Sequence, residues 1–196
     1  KTQHRGKLFN TTQFVKQILK SDSREHLIVR PENFFKTTNL SMVKYFCDIR
    51  YPSIGEKLFR DDAQFYQDER LRKMMGRTPV LRISFKDCVG TTLEEVTNAF
   101  QRMLKDIWME HWFLADLMEE EERKVIEDLV ADRTFDQDSE YLFGLMYLLW
   151  EYYRKPVLVI VDDYDAPFVF SEPYGIGQQV LEFMSRFIPR ISDNAK

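Results

Sequence analysis

The run Pro156-Val157-Leu158-Val159-Ile160-Val161, closed by Asp162-Asp163-Tyr164-Asp165, limits the folds open to this chain more than any other stretch. An uninterrupted series of branched apolar residues suits a central parallel strand covered on both faces, whereas a half-exposed antiparallel strand would alternate with polar residues. Acids at the C-terminal end of such a strand lie where open α/β sheets bind their ligands. A second strand is expected over Pro79 to Phe85, bounded by the proline and by Lys86-Asp87, and a third, buried one over His26 to Val29. Helical patterns separate the three, so an α/β doubly wound architecture with right-handed crossovers is expected.

The helices have their own signals. Asn10-Thr11-Thr12 offers caps for a helix bearing Phe14, Val15, Ile18 and Leu19, which Ser21 to Glu25 closes. Leu40, Val43 and Cys47 share a face widened by Met42, Tyr45 and Phe46. Tyr51 to Thr78 is polar and charged, with Pro52, Gly55, Gly76 and Pro79 at its margins, and reads as a mostly exposed connection with some helix. Thr92 with Glu95 three residues on makes a capping box ahead of Val96, Phe100, Leu104 and Ile107. The carboxylates of Glu119 to Glu122 suit the positive end of another helix, and are better read as its solvated start than as a metal site. Tyr141 to Tyr153 is apolar nearly all round, as in a helix buried between a sheet and its neighbours. Val180, Leu181, Met184, Phe187 and Ile188 form a last helix, stopped by Pro189.

Composition narrows the class. A chain of 196 residues, 44% hydrophobic and 14% aromatic, can bury a sizeable core, and one domain is the expectation. Its 28 basic and 32 acidic residues leave a charge of -4, with no basic run, so no clear nucleic-acid surface is expected. Cys47 and Cys88 are too few for a disulfide framework, and His4, His26 and His111 show no zinc spacing. No signal peptide is visible, and Tyr141 to Tyr153 is too short to span a bilayer. A soluble protein of the cytoplasm or nucleus, with no membrane partner and reduced cysteines, is expected.

Between His26 and Cys47, a strand, a loop and a helix opening at Lys36-Thr37 form the arrangement in which a P-loop grips phosphate. Backbone N–H groups at the helix start, an ammonium and a magnesium-binding hydroxyl converge there. The residue before the lysine is Phe35, where close approach of the backbone to phosphate calls for glycine.

Four stretches together resemble the AAA-ATPase-like family of P-loop proteins, which is widespread in bacteria and often joined to a nuclease-like domain of the PD-(D/E)XK type. They are Phe14 to Leu19, Arg30-Pro31 through Asn39-Leu40-Ser41-Met42-Val43-Lys44-Tyr45-Phe46, Ser84-Phe85-Lys86-Asp87, and Val161-Asp162-Asp163-Tyr164-Asp165-Ala166-Pro167. The resemblance implies a P-loop NTPase-like sheet of parallel strands flanked by helices, spanning residues 1–196 as a single domain. It matches Lys36 to the phosphate-gripping lysine and Thr37 to the hydroxyl that helps hold magnesium. Asp162 matches the Walker B carboxylate, and Asp163 falls where the family has the glutamate that polarises the attacking water. Arg30 and Phe35 belong to the same nucleotide loop, and ATP with Mg2+ is the implied cofactor pair if the site is functional.

The departures bear on activity. Where the family typically reads Arg-Pro-Arg-Arg-Phe-Gly-Lys-Thr, this chain reads Arg30-Pro31-Glu32-Asn33-Phe34-Phe35-Lys36-Thr37, and Asn10 replaces a usual aspartate. Two positive charges are lost, the loop glycine is a phenylalanine, and Asp163 is shorter than glutamate. Glu32 and Lys36, four residues apart, could also pair and neutralise the lysine. The class normally places a further strand between the P-loop and Walker B strands, and none precedes Lys196, so a sheet incomplete at its C-terminal end, from a longer protein, is expected.

The readings left open are a pseudo-ATPase acting as an interaction or regulatory module, with a protein partner or further domain of its parent chain, and an active Mg-ATP hydrolase. A magnesium phosphoesterase built from Asp162, Asp163 and Asp165 is a third, with Asp165 as a plain turn cap the blander alternative.

Overall fold

The computed structural model describes residues 3–29, 35–62, 65, 67–131 and 140–187. The fold is α/β, mostly helical, with a small open parallel sheet of two strands. The chain divides into two compact units, residues 1–80 and 81–196.

In the first unit, α1 (Gln3–Lys20) and α3 (Pro52–Phe59) both pack on α2 (Lys36–Cys47), and α4 (Glu69–Met74) follows. The expected start at Asn10-Thr11-Thr12 lies inside α1, which runs back to Gln3. Thr12 is buried beside the core residues Phe14 and Val15 rather than capping. His26 to Val29 is not a strand, and Leu27 and Val29 are 76% and 78% exposed. A strand needs a ladder, and the segment pairs with none among the described residues, so water is left to solvate its backbone.

The expected exposed connection over Tyr51 to Thr78 instead supplies much of this unit's core. Phe59, Phe65 and Leu71 are fully buried. The rings of Phe59 and Phe65 each lie 5.0 Å from that of Phe46, and 4.7 Å from each other. These anchors come from separate local turns, so no single helical period displays them, and the charged residues between them dominate a local reading. Asp68 caps α4 by accepting from the Leu71 N–H at 3.2 Å, and pairs with Lys20 of α1. A parallel bridge joins Asp48 to Thr78, and the buried Asp48 carboxylate holds the Arg50 guanidinium through Nε and Nη2 at 3.2 and 2.9 Å.

The second unit contains the sheet, β1 (Val80–Ser84) beside β2 (Leu158–Asp162). Around it run α5 (Leu93–Glu110), α6 (Glu120–Val130), α7 (Glu140–Tyr153), α8 (Ala166–Ser171) and α9 (Gly177–Met184). Both β1 and β2 fall where the sequence marks them. Val159 and Val161 pack against the core while half-buried, Ile160 on the alternate face is buried, and β1 is the one strand neighbour of β2 among the described residues. The start of α5 is as expected at Thr92, whose hydroxyl accepts from the Glu95 N–H at 3.2 Å. Glu95 reaches one residue further back than a standard box, accepting from the Thr91 N–H at 2.7 Å and hydroxyl at 2.9 Å. The glutamate run starts α6, with the Glu119 N–H donating to Glu122 at 3.3 Å.

Helix α7 departs from its expected all-round burial. Leu142, Leu145, Met146 and Leu149 enter the core, but Tyr147, Trp150 and Tyr152 face water. A helix packed on one side only keeps its opposite face wet whatever that face carries. The last helix has the same asymmetry: Val180, Met184 and Phe187 are buried, with Phe183 added, while Leu181 is exposed and Ile188 and Pro189 lie outside the described residues. Cys47 and Cys88 are free and buried, and burial pushes both thiols up to about 12, so neither is a ready nucleophile.

At the centre of this core Phe100 stacks on Phe85 at 6.0 Å and meets Phe183 and Phe187 at 5.3 and 4.3 Å. Phe100→Ala should cost about 3–5 kcal/mol in urea unfolding, and a loss under about 1 kcal/mol would show that this cluster does not organise the unit. Hydrogen bonds from Thr91 hold the Glu95 carboxyl below its ordinary 4.5. The stability this adds is present above that ordinary value and is lost as pH falls through the lowered folded one. Glu95→Gln should flatten that acid limb in thermal melts recorded across pH.

Candidate functional site

The two halves of the sequence-derived site lie in different units: Lys36 and Thr37 in the first, Asp162 and Asp163 in the second. Arg30 lies outside the described residues, as do Glu32 and hence its expected pairing with Lys36.

Helix α2 begins where expected, with Lys36 and Thr37 as its first residues. Lys36 is half-buried and Thr37 exposed, so a hydroxyl and an ammonium stand beside N–H groups that a helix start leaves without intrahelical partners. Phe35 occupies the N-cap with φ 56 and ψ 29, in the left-handed region, and accepts from the Asn39 N–H at 2.9 Å through its carbonyl. Its side chain makes no capping bond, and the residue is half exposed. Gly76 and Gly175 adopt similar φ values of 61 and 76 at no steric cost, whereas Phe35 carries a Cβ into that conformation. The backbone at the loop's end thus takes the shape that suits glycine, with an aromatic ring attached.

At the other half-site, Asp162 ends β2 and its carbonyl accepts from the Phe85 N–H at 3.0 Å. The residue is only 2% exposed. Its Oδ2 accepts from Nη2 of Arg82, on the neighbouring strand, at 3.0 Å. Arg82 was not among the residues the sequence singled out. The only signal was a charged residue inside an apolar strand, which alone does not name its partner. Asp163 turns the chain with φ 52, a conformation aspartate tolerates better than most residues, and its carbonyl accepts from the Ala166 N–H at 3.1 Å. Asp165 stands at the N-cap of α8, but its carboxylate makes no capping bond there, contrary to the turn-cap reading.

This donor set does not suit magnesium. The ion takes six oxygens in a tight octahedron and keeps several waters, while Asp162 is buried and already bonded to a guanidinium. Nor do the three aspartates converge as a phosphoesterase would need, since no group of three or more His, Cys, Asp or Glu among the described residues is placed to hold a metal. No described helix is long and apolar enough to cross a membrane.

A short parallel sheet of two strands among many helices defines an α/β protein, with a Lys-Thr pair opening one helix and an acid pair at the carboxyl end of one strand. The chain belongs to the AAA-ATPase-like family, whose model, described as a predicted AAA-ATPase, matches residues 3–196. Such a family binds ATP and Mg2+ in general. Comparison with curated proteins and with solved structures gave no match.

Relief of the left-handed strain gives a direct test of the loop. Phe35→Gly should raise stability by about 1 kcal/mol in chemical denaturation, whereas Phe35→Ala, which keeps the Cβ, should give no such gain. Equal effects of the two would locate the cost in the ring rather than in the backbone.

Proposed function

We propose that this chain is a P-loop NTPase-like domain whose nucleotide site has degenerated, a pseudo-ATPase serving as an interaction or regulatory module. The observation that carries this reading is Phe35: its φ of 56 is the conformation that suits a glycine, and its half-exposed ring stands at the start of α2. A ring there meets phosphate where an N–H should, and each charge-assisted bond left unmade forfeits roughly 1.5–3 kcal/mol. Glu32 and Asn33, in place of basic residues, turn attraction for a polyphosphate toward repulsion. Two or three such losses are enough to take micromolar binding out of the useful range.

Support for an interaction role comes from the aromatic surface of the second unit, where Tyr147, Trp150 and Tyr152 are exposed on one helix. The partner in this reading is another protein or a further domain of the parent chain.

A second reading keeps the domain active as a Mg-ATP hydrolase. In its favour, Lys36 and Thr37 stand in the first turn of α2 with no acidic residue in that turn. In that case Lys36 would hold phosphate, Thr37 the metal-side oxygen, and Asp163 would have to polarise water despite its shorter reach. A displacement of about 1 Å can cost on the order of a hundredfold in rate.

Calorimetric titration of Mg-ATP and Mg-GTP separates the two. The native chain should give no binding heat and Phe35→Gly should regain some. Binding by the native chain that Lys36→Ala abolishes would establish the active reading instead.

A further inference from the structure

We propose that Arg82 is a resident cation that takes the place of a divalent metal at Asp162, closing the acid end of β2 to magnesium. The inference deepens the degenerate-site reading and rests on Asp162 being the family's metal-side carboxylate.

A carboxylate buried to this degree must be neutralised, because charge removed from water without a partner is strongly disfavoured. In an active site of this class the metal and its water shell share that task. Here Arg82, on the neighbouring parallel strand, places Nη2 3.0 Å from Oδ2 of Asp162.

Geometry makes the two cations exclusive. The Asp162 side chain is only 2% exposed, and its Oδ2 already holds the guanidinium of Arg82, whose side chain is 30% exposed. A hydrated magnesium ion would have to displace Arg82, leaving a positive group beside another positive charge. The Nε of Arg82 is itself buried with no hydrogen-bond partner among the described residues, so the bond from Nη2 to Asp162 is what anchors this guanidinium. Asp163, the next carboxylate in the chain, is half-buried in a left-handed turn.

The probe is Mn2+ alone, followed by the loss of the free-ion electron paramagnetic resonance signal on adding the full chain. Native protein should leave that signal unchanged. Arg82→Met, which keeps much of the apolar stem and removes the charge, should bind Mn2+ at least about tenfold more tightly than native. Adding Asp162→Asn to it should abolish the gain. A folded Arg82→Met protein, judged by circular dichroism, that gains no Mn2+ binding would overturn the proposal.

Should Arg82→Met fail to fold, the native chain still decides. Mn2+ that selectively broadens the amide resonances of Asp162 and Asp163 overturns the proposal, and resonances left sharp sustain it. Nucleotide is absent from every sample, so failure here would leave the Phe35 loop to be judged by the ATP titration alone.

Discussion

A carboxylate kept from water at the end of a strand is the constraint on which the second unit depends. Asp162 can be buried only because Arg82 reaches it from the adjacent strand. That bond needs β1 and β2 to be parallel neighbours, in the register that the Phe85 to Asp162 backbone bond also reports. Register in turn directs Leu81 and Ile83 to the core while Arg82, between them, points to the other face. A slip of one residue would bury the arginine among Val96, Phe100 and Leu104 and leave the aspartate without its cation.

The first unit solves a related problem with another pair. Asp48 is fully buried, and the Arg50 guanidinium that neutralises it also donates to the Val80 carbonyl at 3.0 Å. The same arginine therefore satisfies the carboxylate and helps hold the chain returning through the bridge at Thr78. Replacing one partner of such a pair is more damaging than replacing both, since the survivor stays buried and uncompensated.

Phe35 shows how conformation and chemistry can part company. The turn into α2 keeps a left-handed residue ahead of Lys36, as a glycine would permit, but carries an aromatic ring there. The family membership describes the scaffold, while Phe35 and the Arg82–Asp162 pair are particular features of this chain. These last two features arise in separate units.

By itself the sequence determined the strands β1 and β2, the helix starts at Lys36, Thr92 and Glu119, and the family, because each is written in contiguous residues: an apolar run, a capping pair, a motif. Only tertiary structure decided that His26 to Val29 has no ladder, that Phe59, Phe65 and Leu71 build a core, that α7 keeps a wet face, and that Arg82 belongs to Asp162. Each of those depends on what lies across from a residue rather than beside it. A strand exists only with its neighbour, a face is buried only when something covers it, and an ion pair joining residues 82 and 162 leaves no trace in either local stretch.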